Sequence, residues 1–374
     1  MATALVNTRV LVDDAFRDDL AVIVDDGIIV AVELARDAHA RACERVDLGG
    51  HWLVPGFIDV QVNGGGGVLF NDSPTAEAIR RIGAAHRRYG TTGFLPTLIS
   101  DDRATMRAAI DAVDDAIAQG VPGVLGIHLE GPYLAPARRG AHDASKFRAL
   151  DDAELELACS LRRGLTVLTL APEQVPPARV RELVARGVIV CIGHSAADYA
   201  QARAALDAGA RGFTHLFNAM SPLQGREPGM VGAALEDRAS WCGLIVDGHH
   251  VHPASLRVAL AAKPRGKLLL VTDAMPPVGA ESDAYELAGV TIRCRDGRCE
   301  TPDGVLAGSA LDMASAVRNT VATLGVPLED ALRMASTWPA EFLGVGAERG
   351  RIAPGRRADL VELDAGLRVV RCWP

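Results

Sequence analysis

FIDVQVNGGGG, residues 57–67, sets a run of alternating apolar residues against four consecutive glycines. It reads as a β-strand whose downstream end opens into a flexible loop. The same kind of run recurs at GFLPTLI, GVLGIHL, LTVLTLA, VIVCIG, GFTHLF, CGLIVDG and LLLVTDA, making eight with the first. Between most of them lie stretches rich in Ala, Arg, Asp and Glu with helical character, such as AEAIRRIGAAHRRYG and RATMRAAIDAVDDAIAQG. Eight strand–helix repeats predict an α/β protein built on a (β/α)8 TIM-like barrel. A doubly wound open sheet is the competitor. It usually has fewer strands and an early phosphate-binding glycine loop, whereas GGGG at 64–67 is not G-x-G-x-x-G and lacks the Lys-Ser/Thr of a P-loop.

Working outward, both chain ends lose the helical period. TRVLVDD, LAVIVDDGIIVAV and RVDLGGHWLVPG near the start resemble GRIAPGRRADLVELDAGLRVVRCWP at the end. They predict one small β-sandwich domain, residues 1–53 and 346–374, with the barrel, residues 54–345, inserted between them. The 374 residues are 49% hydrophobic, enough to bury a core of this size. The net charge of −8 and the lack of a basic run argue against a nucleic-acid surface. A small anion bound by a few local cations stays compatible with them. No apolar run is long enough to span a bilayer. The start, MATALVNTRVLVDD, lacks the basic segment and long apolar core of a secretory signal. The expectation is a cytoplasmic protein with no membrane partner and with its seven cysteines reduced. The one close pair, Cys294 and Cys299, flanks an Asp-Gly hairpin turn.

The polar residues with chemical potential cluster at the downstream ends of the strand runs. Gln61 and Asn63 follow the first, Glu130 the third, His194 the fifth, His215 the sixth, His250 the seventh and Asp273 the eighth. In a barrel these ends open on one face, where active sites sit. Taken singly, each has a plain structural reading: Glu130 before Gly-Pro as a cap or ion-pair partner, His194 and His215 as hydrogen-bonding histidines, Asp273 as an acceptor of backbone N–H groups. Together, one Glu and two His with an open fourth position form a ligand set for a catalytic zinc-type ion. Asp273 beside such an ion is a candidate general base. His128, two residues before Glu130 and on the same face of the strand, reads as support or packing.

PGFIDVQVNG, GIHLEGPYL…RRGAHD, IGHSAAD, THLFNAM, GREPGMVG, VDGHHVH, VTDAM and LAGSALDM occur in that order over nearly the whole chain. With these motifs the chain resembles the N-acetylglucosamine-6-phosphate deacetylases of the amidohydrolase superfamily. The resemblance implies a metal-dependent hydrolysis of N-acetyl-D-glucosamine 6-phosphate to D-glucosamine 6-phosphate and acetate. It implies Glu130, His194 and His215 as ligands, with Asp273 as acid/base. His142 would sit over the acetamide and help stabilise the oxyanion. Arg226 and His250 would take the phosphate, with Asn218 and Ala219 presenting a side-chain amide and a backbone N–H. Ala141 and Leu306, Ala307, Gly308 and Ser309 would lie near the sugar. Which of His249, His250 and His252 reaches the phosphate stays open. Relatives with His-x-His after the first strand hold two metals, whereas those with Gln-x-Asn work with one. Gln61 and Asn63 would then be the remnant of a second site, since a carboxamide is a poorer ligand than imidazole. LTLAPEQ, at the fourth strand, offers no lysine to bridge two ions. One divalent ion per subunit is expected, zinc first, with iron, cobalt and manganese also accepted by this set. The resemblance further implies a homodimer or homotetramer, with the arginine matching Arg226 reaching a neighbouring subunit's site in several relatives.

Two rival readings differ in kind. Another amidohydrolase, such as a D-aminoacylase or a dihydropyrimidinase-like enzyme, would be expected to keep His-x-His and would not need Arg226. A metal-less scaffold would suit Gln61 and Asn63 standing alone, but Glu130, His194, His215 and Asp273 all remain.

Overall fold

The computed structural model describes residues 2–38 and 43–373; positions 1, 39–42 and 374, all within the expected small domain, lie outside the described residues. The eight expected runs form one parallel sheet in chain order. Its strands are β1 (Phe57–Val62), β2 (Thr91–Ile99), β3 (Gly126–Glu130), β4 (Leu165–Leu170), β5 (Ile189–Ile192), β6 (Gly212–Phe213), β7 (Trp241–Leu244) and β8 (Leu268–Leu270). These strands are buried along nearly their whole length, as LTVLTL in β4 illustrates, because helices cover them outside and side chains fill them inside.

Helices return the chain from one strand to the next. In Ala76–Arg87 the Thr75 hydroxyl accepts from Ala78 N, and Ala78, Ile79, Ile82, Ala85 and His86 form the buried stripe. Tyr199–Asp207 opens with a reciprocal capping box between Asp198 and Gln201. Met313–Leu324 runs from an Asp312 cap to Gly325, whose φ of +70° ends the helix in the left-handed region.

The ring closes just beyond β8. Val62 pairs in parallel with Ala274. Asp273 N donates to the Gln61 carbonyl at 3.0 Å and Asn63 N to the Ala274 carbonyl at 2.9 Å. One layer lower, the Thr272 hydroxyl donates to Asp59 at 2.5 Å, inside the wall. Burial is the first cause that pushes the Asp59 carboxyl up to about 7.

Two sheets at the chain ends face each other. One holds Thr3–Val6, Leu20–Asp25, Ile28–Leu34 and Glu44–Asp47; the other joins Arg9–Val12, Ala15–Arg17 and Trp52–Pro55 to Leu360–Leu363 and Val369–Cys372. Leu5 and Val22 from the first meet Val10, Leu53 and Leu360 from the second in one apolar core.

A further antiparallel sheet follows β8 and roofs the barrel mouth: β9 (Ala284–Leu287), β10 (Val290–Arg295), β11 (Arg298–Glu300) and β12 (Leu306–Ser309). Its Tyr285, Leu287, Ile292 and Ala307 pack with Met275 and Leu69. Ala274 also pairs in parallel with Ser309, so the residues after β8 lie between β1 and β12. Cys294 and Cys299, expected as thiols, are joined by a disulfide. They stand directly opposite each other on β10 and β11, where side chains of an antiparallel pair meet. Cys43, Cys159, Cys191, Cys242 and Cys372 are free. No helix among the described residues is long and apolar enough to cross a membrane.

Candidate metal centre and cavity

The strand ends surround a cavity of about 250 Å³ under the roof sheet. Three groups converge at its floor. Glu130 Oε1 lies 3.2 Å from His194 Nε2 and 2.9 Å from His215 Nε2, and the two ring nitrogens are 3.0 Å apart. All three residues are at most 5% exposed.

The chemistry of these donors fits a cation. His194 Nδ1 faces the Arg138 carbonyl at 3.0 Å, and a carbonyl only accepts, so Nδ1 carries the hydrogen. Nε2 then points a lone pair at a carboxylate oxygen and at a second ring nitrogen. Such crowding of lone pairs is stable around a positive ion. The separations approach the ligand–ligand spacing of about 3.3 Å that bonds of about 2.0–2.1 Å give in a tetrahedron.

Backbone strain marks the same face. His194, His215 and Asp273 adopt φ of +47°, +31° and +52°, and Ala219 +51°, in a region that costs non-glycine residues about 1–3 kcal/mol each. Glu173, just past β4, holds the His194 turn: its carboxylate accepts from Ser195 Oγ and Ala196 N, both at 2.6 Å.

Across the floor, Gln61 Nε2 donates to Glu130 Oε1 at 3.1 Å and to Asp273 Oδ1 at 3.2 Å. Asn63 Nδ2 reaches the same Oδ1 at 2.6 Å. Burial, followed by the Glu130 charge, pushes the Asp273 carboxyl up to about 6. His142 closes one wall. Its Nδ1 accepts from Ser100 N at 3.3 Å and lies 2.9 Å from Ser100 Oγ, so the hydrogen sits on Nε2. Burial first, and His194 next, push His142 down to about 3, which keeps it neutral.

Most of the residues singled out from sequence meet here. Ala141, Asn218, Ala219, His250, Leu306, Ala307 and Gly308 line the cavity beside the residues above. A Cβ at Gly308, which has a φ of +65°, would come within 2.4 Å of Met275 Cγ and 3.0 Å of the Asp273 carbonyl, so only glycine fits. Of the three neighbouring histidines, His250 faces the cavity. His249 Nε2 meets the Asp296 carbonyl at 3.0 Å, and His252 caps Pro253–Ala262.

Other residues stand elsewhere. Ser309 lies under the floor, donating to the Thr272 carbonyl at 2.5 Å. Asn218 stays in the cavity lining but commits its Nδ2 to the His215 carbonyl at 3.1 Å. His128 is buried in the barrel wall, bonded to Val60 O and Thr169 Oγ1. Arg226 is exposed and does not line the cavity, and neither does any other Arg or Lys among the described residues.

Sequence reasoning missed Ser100, Glu173 and Asp247. Asp247 follows β7 and accepts from His250 Nδ1 at 2.6 Å, which leaves the other ring nitrogen for the cavity. Each of the three lies within three residues of a barrel-strand end, so the strand-end rule alone could have found them. The apolar lining from Ile99, Met275, Leu287 and Val305 had no such signal.

Comparison with known proteins agrees with this picture. The amidohydrolase family matches over residues 52–369. An N-acetylgalactosamine-6-phosphate deacetylase of Shewanella sp. (strain ANA-3) is 44% identical over 98% of this chain and 93% of its own. One of the same name from Escherichia coli O157:H7 is 39% identical, over 98% and 96%. The crystal structure of N-acetylglucosamine-6-phosphate deacetylase from Pasteurella multocida superposes with a TM-score of 0.96 at 34% identity, covering 100% of this chain and 98% of that one.

Proposed function

We propose that this chain, which belongs to the amidohydrolase family, hydrolyses the acetamide of an N-acetylhexosamine 6-phosphate. The substrate is N-acetyl-D-glucosamine 6-phosphate, and the products are D-glucosamine 6-phosphate and acetate. The observation that carries this reading is the convergence of Glu130, His194 and His215 on one point, with Asp273 across the same cavity floor.

Glu130, His194 and His215 would hold one divalent ion, zinc in the first instance. When bound, that ion supplies the Lewis acidity that makes a nucleophile of water near neutral pH and polarises the acyl oxygen. Asp273 takes the proton of the attacking water and returns it to the leaving nitrogen, which would otherwise depart as an amide anion. His142, neutral with its hydrogen on Nε2, donates to the acyl oxygen as negative charge develops there. Ala141 and the roof residues Leu306, Ala307 and Gly308 seat the sugar. His250, Asn218 and Ala219 face the phosphate end. Arg226 stands outside its own cavity; by its likeness to relatives in which the matching arginine reaches a neighbouring subunit's site, a second copy of the chain in a homodimer or homotetramer would supply it to the phosphate.

Two of the similar proteins are named for the galactosamine epimer, and this favours a second substrate, N-acetyl-D-galactosamine 6-phosphate. The test is acetate release from both sugar phosphates by protein of known metal content. Release from either, with about one ion per chain, is expected. Protein that holds its ion and releases acetate from neither overturns the reading.

A further inference from the structure

Gln61 and Asn63 stand where the sequence suggested the remnant of a second ion site, yet their amide hydrogens are engaged. The two hydrogens of Gln61 Nε2 go to two carboxylates, Glu130 Oε1 at 3.1 Å and Asp273 Oδ1 at 3.2 Å. Asn63 Nδ2 adds a second donor to that Oδ1, at 2.6 Å. Asp273 Oδ2 makes no hydrogen bond among the described residues, and Asp273 itself is partly exposed to the cavity. A carboxylate only accepts, so the amide nitrogens have to face it. The main chain adds a third tie, from Asp273 N to the Gln61 carbonyl at 3.0 Å.

We propose that Gln61 and Asn63 are positioning residues that clamp Oδ1 of Asp273, so that Oδ2 alone meets the reacting atoms. The inference rests on the proton-carrying role given to Asp273 above. An unclamped carboxylate rotates about Cβ–Cγ and exchanges its two oxygens. Two N–H groups on one oxygen stop that rotation and hold the other at a fixed distance and angle from water and leaving nitrogen. Gln61 also joins two buried carboxylates without adding charge. A neutral imidazole, with one N–H, could not serve both.

Gln61→Met and Asn63→Leu keep the volume and remove the donors. Each should keep about one bound ion and a KM within about threefold of wild type, while kcat falls about 10–100-fold. A double-mutant cycle separates positioning from general support of the fold. In an Asp273→Asn background the proton-carrying oxygen that the clamp orients is gone, so Asn63→Leu should cost less than about threefold in kcat. An unchanged kcat in the single variants overturns the inference. So does an equal loss in both backgrounds, or a loss of activity that follows loss of the ion. If Asn63→Leu does not fold, Gln61→Met decides by the same readings. Wild-type turnover beside unaffected variants removes this inference alone. A wild type that releases no acetate from either sugar phosphate removes the proposed function and this inference together.

Discussion

On the β3–β6 side of the barrel mouth lone pairs converge; on the β1–β8 side N–H groups do. Glu130, His194 and His215 point an oxygen and two ring nitrogens at one spot, an arrangement that could hold a positive ion between them. Gln61 and Asn63 point hydrogens at Asp273, while Asn63 Oδ1 is left without a partner. Both sides are built on strand ends, at the same depth, with strained backbone at His194, His215 and Asp273. Exchanging imidazole for carboxamide therefore turns a position that would bind a cation into one that orients a base. The Gln61 bridge to Glu130 couples the two sides.

The largest effect should come from the lone-pair side. His215→Ala removes one of the three proposed ligands and should abolish turnover together with ion content, read by elemental analysis. An active variant that has lost its ion would break the division between the two sides. Next comes the donor side. Asp273→Asn keeps shape but cannot carry a proton, so turnover should fall roughly 10²–10⁴-fold with the ion retained. More than about a tenth of normal turnover would move the base elsewhere, with His142 next in line.

Arg226→Ala touches neither side. It should lower kcat/KM for the phosphorylated sugar roughly 10–150-fold and leave the weak activity on unphosphorylated N-acetylglucosamine nearly unchanged. Equal losses on both substrates would return the phosphate to His250. The smallest effect sharpens the contrast, because Asp247 is a carboxylate held by an imidazole N–H instead of an amide. Burial opposes its ionisation, but His250 and the backbone N–H groups of His249 and His250 outweigh that and hold it at about 2, against 3.8 in an unfolded chain. The lowered value stabilises the fold by about 2 kcal/mol above pH 4, and this is lost as pH falls through 3.8 towards 2. Asp247→Asn should therefore lower the urea-unfolding free energy by about that amount at pH 7, with the gap to wild type closing in acid.

The barrel was legible because its eight strands are buried on both faces and so read as unbroken apolar runs, each followed by a helical stretch. The convergence of Glu130, His194 and His215 was legible for a related reason: a strand end fixes the side on which a residue emerges. What the ends touch was not legible. That Glu173 would hold the turn after His194, or Ser100 the tautomer of His142, depends on how neighbouring strands approach, and alternation within one strand carries no trace of it. The roof disulfide was missed because the argument from compartment outweighed the hairpin spacing of Cys294 and Cys299. Arg226 was named by family likeness alone, and it stands exposed, outside the cavity.

The seam of the barrel has a consequence for assembly. Asp273 takes its place only when the end of the last strand meets the end of the first, through Val62 and Ala274 on the main chain and through Asp59 and Thr272 inside the wall. Glu130, His194 and His215 all lie on strands in the middle of the ring, away from that junction. Asp273 and the three converging groups are therefore placed by different parts of the ring, one by its seam and the others by its unbroken arc.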